Sequence, residues 1–296
     1  EEINNFKDAI KVYKKALELD SEDPEEWFDL GVKLGEKGDF KGAIEAFKKG
    51  LNLNSEDVMA WINLGVAYGQ VGDSQAEIEA YQKALELDST NVEVWVNLGV
   101  VLEEINNFKD AIKVYKKALE LDSEDTDIWF DLGVALGRME EFKGAIKAYR
   151  KTLDLNPKDS QAWLNLGVVQ ILSDKSEEAL KAFEKALEID PEDEKAWYNL
   201  GLALGQTGDI EGEIKSYKKA LELDSNIGLA WYNLAVALEK KEDFKGAIEA
   251  YKKVLELDPE DHDAWDDLST ILEKTGNIEG AAEARKKASK LRKSKE

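Results

Sequence analysis

Eight tryptophans stand 34 residues apart, at Trp27, Trp61, Trp95, Trp129, Trp163, Trp197, Trp231 and Trp265, and the 296-residue chain has no others. A fixed period of this size marks a solenoid, in which one supersecondary unit cannot bury its apolar face alone and stacks on copies of itself. Full copies begin at 24, 58, 92, 126, 160, 194, 228 and 262. The chain therefore reads as one elongated unit without an internal linker.

Within a copy, the apolar residues keep helical spacing. Trp61, Leu64, Ala67 and Tyr68 line one face of a first helix, and Ile78, Tyr81, Ala84 and Leu85 line one face of a second. Between them Gly72 provides a left-handed stop, and Asp73 a polar helix start. The four prolines, Pro24, Pro157, Pro191 and Pro259, fall at or beside junctions between copies, where they interrupt no helix. The reading is all-α: helix, short turn, helix, eight times.

These residues resemble the tetratricopeptide repeat family, whose pattern is met at Trp197, Leu200, Gly201, Leu204, Tyr217 and Ala220 and similarly in the other copies. The resemblance covers essentially the whole chain. It implies an α-solenoid, a right-handed superhelix of stacked antiparallel helix pairs with the first helices on its inner, concave wall. Residues 24–261 then hold seven full repeats, and 262–296 form a terminal capping repeat. Residues 1–23, identical letter for letter to 103–125, form an orphan second helix whose apolar edge invites self-association. Three repeats separate the two segments, so duplication of a triplet, excision from a longer array and design all stay open. Arg285, Asp266 and the lysines of the last helix give the final copy the polar outer face that a terminal repeat needs.

In this family, the residues one and five positions after the tryptophan point toward the groove. Here they are Phe28 and Val32, Ile62 and Val66, Val96 and Val100, Phe130 and Val134, Leu164 and Val168, Tyr198 and Leu202, Tyr232 and Val236, every one apolar or aromatic. Ile171 and Leu172 extend the set near the middle, where Gln170 stands in place of the usual Leu or Tyr. Such a wall presents an apolar patch on the order of several hundred Å², the size of an interaction site. The other reading buries these side chains between neighbouring first helices. Asn63, Asn97, Asn165, Asn199 and Asn233 recur two residues after the tryptophan, a place where related arrays hold the backbone of an extended peptide. An amide donates and accepts at once, which suits that task, although Asp29, Asp131 and Asp267 interrupt the row. The inward cations of the carboxylate clamp found in co-chaperone arrays are absent, replaced mainly by Val and Gly.

Composition narrows the partners. With 63 acidic against 40 basic residues and a net charge of −23, nucleic acid is disfavoured, while apolar or basic-amphipathic protein segments fit. The chain has no cysteine, hence no disulfide, thiol nucleophile or thiolate metal site. His262 is the sole histidine and reads as a surface residue. No catalytic constellation, cofactor motif or metal set is visible, so the expectation is a non-catalytic protein-interaction scaffold that binds an extended peptide or amphipathic helix. The alternative is a structural or self-associating array. The absence of an apolar run long enough to span a bilayer gives a cytoplasmic expectation, although a chain that starts inside a repeat leaves a removed signal or anchor open.

Glu77 and Glu213 occupy a place filled by a small alanine in the other copies, and both are expected to reach solvent or a nearby helix N-terminus. Gly35, Gly69, Gly137 and Gly205 weaken the first helices by about 0.5–1 kcal/mol each relative to Ala. Either a ligand backbone or a neighbouring helix is expected to lie close against them.

Overall fold

Local chemistry sets each helix. Asp57, Asp125, Asp159, Asp193 and Asp261 end the junctions between repeats, and each accepts a backbone N–H from the first turn of the helix that follows. These carboxylates occupy N-cap positions, where they satisfy amides that lack an intrahelical partner and face the positive end of the helix dipole. The acidic junctions are thus helix starts. Gly72 and Gly208 close two first helices in the left-handed conformation, with φ of 78° and 87°. Asp73 and Asp209 then cap the helices that follow.

The computed structural model describes residues 22–295. The orphan helix expected over 1–23 lies, apart from its last two residues, outside them. Among the described residues the secondary structure is entirely helical. The chain divides into two compact units, 1–141 and 142–296.

The first unit holds α1 (Pro24–Glu36), α2 (Phe40–Leu53), α3 (Val58–Val71), α4 (Ser74–Leu87), α5 (Val92–Glu104), α6 (Phe108–Leu121) and α7 (Thr126–Arg138). The second holds α8 (Phe142–Leu155), α9 (Ser160–Leu172), α10 (Ser176–Ile189), α11 (Glu194–Thr207), α12 (Ile210–Leu223), α13 (Gly228–Lys240), α14 (Phe244–Leu257), α15 (His262–Lys274) and α16 (Ile278–Lys295). Odd-numbered helices carry the tryptophans and even-numbered ones complete the pairs. Within each unit every helix packs on its neighbours in sequence, and first helices also touch across repeats, as α1 does α3 and α9 does α11.

Close approach within a pair depends on the Leu-Gly step. A Cβ on Gly65 would lie 2.6 Å from the Tyr81 ring, and one on Gly31 would lie 2.6 Å from Phe47. The aromatic ring of the second helix therefore rests on bare backbone of the first. The indole supplies the next joint. Its Nε1–H donates at 2.9–3.0 Å to the carbonyl six residues earlier, in the turn before its own helix, at Ser55, Ser89, Ser123, Pro157, Pro191, Ser225 and Pro259. Each tryptophan from Trp61 onward thus staples its helix to the incoming turn.

The last repeat closes on itself with charge. Arg285 pairs with Glu273 at 2.6 Å, Arg292 pairs with Asp266, and Lys287 lies 4.2 Å over the Trp265 ring. His262 sits at the start of α15 with Nδ1 3.0 Å from Asp263.

Candidate functional site

The first helices present the residues expected to face a ligand, and burial sorts them into three groups. Phe28, Ile62 and Leu164 are only 8%, 6% and 3% exposed, which at these three positions corrects the expectation of an exposed wall in favour of the buried reading. The physical reason is the second helix: the Phe28 ring occupies the space that a Cβ on Gly50 would take, and Leu164 joins a core cluster with Phe183, Ala186 and Leu187. Val32, Val66 and Val100 in the first unit keep 41%, 44% and 41% of their surface exposed, and Leu172 is exposed as well. Val96, Phe130, Val134, Val168, Ile171, Tyr198, Leu202, Tyr232 and Val236 are half-buried.

Among these residues, one subset converges on an opening. Between α9 and α11 lies a cleft of about 480 Å³ lined by Leu164, Asn165 and Val168 on one side and Tyr198 and Asn199 on the other, with Asp224 and Ile227 of the following turn at its end. Leu164 contributes only its edge to this floor.

The asparagines differ in what they already hold. Asn199 donates to the Lys195 carbonyl of its own helix at 2.8 Å, and Asn233 donates to the Tyr198 hydroxyl at 3.1 Å. The amides of Asn63, Asn97 and Asn165 form no hydrogen bond with other described residues, although all three are half-buried. Asn165 is therefore the half-buried unbonded amide of the cleft, and the exposed Gln161 at the same opening is unbonded as well. Burial raises the Tyr198 pKa against the opposing effect of Asn233, so the cleft wall carries a neutral phenol. The row of amides expected from the sequence is thus divided between internal and available groups.

Carboxylates form the second notable feature. Glu77 and Glu213 are 7% and 5% exposed, so they do not reach solvent as the sequence suggests. The glycines eight residues earlier make room for them: a Cβ on Gly69 would lie 2.6 Å from Glu77 Oε1, and one on Gly205 would lie 2.7 Å from Glu213 Oε1. Of the two expected roles, close approach of a neighbouring helix is met at these two glycines, through the carboxylate of the second helix, whereas Gly35 faces open space. Burial, together with the charge of Glu104, pushes the Glu77 pKa up to about 7. Glu213 is also raised by burial, but Lys240, with Nζ 3.7 Å away, opposes the shift. In the third repeat the acid comes from the first helix instead. Glu103 is raised to about 7 by burial and by Asp131, which burial itself raises to about 6. Among the described residues no group of three or more side chains is arranged to hold a metal ion, and no helix is long and apolar enough to cross a membrane.

Comparison with known proteins follows the repeat. Models described as tetratricopeptide repeat match residues 2–49, 60–91, 80–113 and 228–290, and TPR repeat models match 33–72 and 104–140. A further model, described as the cytochrome c-type biogenesis protein H TPR domain, matches 137–257. The solved structure of MamA is 31% identical with a TM-score of 0.56, covering 58% of this chain and 94% of that one. The chain belongs to the tetratricopeptide repeat family. Its repeats are similar also to YrrB, described as a TPR protein with an unusual peptide-binding site, at 29% identity and a TM-score of 0.57 over 63% of this chain and 96% of that one. The C-terminal part of a TPR repeat-containing protein from Cytophaga hutchinsonii shares the fold, with a TM-score of 0.68 at 20% identity over 81% of this chain and 98% of that one. No curated protein sequence gives a significant match.

Proposed function

We propose that this tetratricopeptide repeat protein is a non-catalytic interaction scaffold that holds an extended peptide segment in the cleft between α9 and α11. The observation that carries this reading is the meeting of an apolar floor, formed by Val168, Tyr198 and the edge of Leu164, with the unbonded amide of Asn165 in one opening. An apolar side chain of the ligand fills the floor, while Asn165 engages a peptide N–H or C=O. The exposed column of Val32, Val66 and Val100 offers further apolar contact in the first unit. The likeness to YrrB supports a peptide as the partner class.

Selection from a random peptide library, followed by titration of a selected peptide, tests the proposal. Asn165→Ala and Val168→Glu each weaken binding by about tenfold or more, as loss of a buried hydrogen bond or insertion of a charge requires. Binding unchanged in both variants overturns the cleft as the site. Capture of the chain by itself, seen as growth in sedimenting mass with concentration, would favour a self-associating array instead.

A further inference from the structure

Tyr198 of α11 and Tyr232 of α13 occupy the same seat in successive repeats, yet their hydrogen bonds run in opposite directions. Their rings lie 5.9 and 5.8 Å from those of Tyr217 and Tyr251 on the second helices of their own repeats. Each hydroxyl reaches the first helix of the next repeat, 35 residues on. Tyr232 meets a carboxylate there and donates to Asp267 of α15 at 2.6 Å. Tyr198 meets an amide instead, and Asn233 of α13 donates to the phenol oxygen at 3.1 Å. The phenols respond with opposite signs: Asp267 pushes the Tyr232 pKa up, whereas burial, which raises that of Tyr198, is opposed by Asn233.

A phenol has one hydrogen to donate. Tyr232 commits its hydrogen to Asp267 inside the protein. Tyr198 is only an acceptor, and among the described residues nothing accepts from it. Its hydrogen turns about the C–O bond and is free to meet an acceptor in the α9–α11 cleft, which Tyr198 lines opposite Asn165. Glu194 and Asp224 outnumber Lys195 at this opening, so a carboxylate meets repulsion there while a neutral carbonyl does not.

We propose that Tyr198 donates its hydroxyl hydrogen to a neutral main-chain carbonyl of the bound peptide, and that Asn233 sets this polarity by holding the phenol oxygen from behind. Given the α9–α11 cleft as the peptide site, on which this rests, the ligand presents an internal carbonyl beside its apolar anchor and not a free C-terminal carboxylate. Asn233 does not line the cleft and is a positioning residue.

The test uses the full chain and a peptide selected on it from a random library, titrated by calorimetry. Each peptide bond of that ligand is replaced in turn by a thioamide, whose sulfur is a weak acceptor. One replacement weakens binding to the parent about five- to tenfold and has little effect on binding to Tyr198→Phe, which holds the unmodified peptide about five- to tenfold more weakly. Asn233→Asp reproduces the Tyr232–Asp267 arrangement, so the fold is retained while the phenol turns inward. Binding weakens by a similar factor, and Asn233→Asp changes nothing further when added to Tyr198→Phe. A peptide cut directly after the carbonyl so identified binds more tightly as its amide than as its free acid. Asn165→Ala weakened with Tyr198→Phe unaffected would overturn this inference and leave the cleft standing, whereas both unaffected would overturn the two together. A loss on Asn233→Asp that persists in the Tyr198→Phe background would mark a mere effect of added charge and overturn the assigned polarity. Equal or tighter binding of the free acid would overturn the neutral carbonyl.

Discussion

Replacing Glu77 by Gln should make the second repeat more stable at alkaline pH and leave it unchanged at acid pH. Glu77 lies buried against the space opened by Gly69, with its pKa raised from 4.5 to about 7. The folded carboxyl keeps its proton up to about pH 7, whereas the unfolded one releases it near 4.5. Between those values the folded state binds more protons, so stability falls as pH rises. The contribution is fully present below about pH 4.5 and lost as pH passes through about 7. The full shift corresponds to about 3 kcal/mol between the two protonation states. Glutamine resembles the protonated acid and has no such loss. Hydrogen exchange of the α3 and α4 amides, measured from pH 5 to 8 after correction for intrinsic rates, gives the local stability without requiring two-state unfolding. We expect Glu77→Gln to match the parent at pH 5 and to exceed it by about 2–3 kcal/mol at pH 8. A parent slope that survives the substitution, or runs the other way, would refute the burial of an ionisable carboxylate here.

Three further outcomes follow from the packing. Glu213→Gln should gain less than Glu77→Gln at pH 8, since Lys240 already compensates the buried charge, and the same exchange measurement over α11 and α12 checks it. Gly65→Ala forces a methyl to within 2.6 Å of the Tyr81 ring and should cost about 1–3 kcal/mol, read from the urea midpoint. Trp163→Phe removes the indole donor to the Pro157 carbonyl and should cost about 1 kcal/mol, with faster exchange confined to the turn before α9 and its first residues.

The repeat and its helix pairs were legible because they rest on signals within a single helix: the 34-residue recurrence, the helical spacing of Trp61, Leu64 and Tyr68, and the turn at Gly72 and Asp73. Whether Phe28 and Leu164 were buried stayed open between two readings, because each is covered by residues of the second helix, outside its own helical pattern. The acid slot could have been read and was missed. Wherever Glu stands sixteen residues after the tryptophan, as at Glu77 and Glu213, the residue eight after it is Gly. Wherever Glu stands at eight, as at Glu103, Glu239 and Glu273, the partner is Ala. Two carboxylates thus never share one slot. What no single-chain pattern could show was which asparagine remains unbonded, since Asn233 is held by a tyrosine 35 residues away.

Titration of a library-selected peptide against the parent chain and Asn165→Ala tests the central claim most directly, provided that Asn233→Ala is measured beside them. The account predicts about tenfold weaker binding for Asn165→Ala and a smaller effect for Asn233→Ala, whose amide is already bonded to Tyr198. Equal affinities for the parent and Asn165→Ala would contradict it.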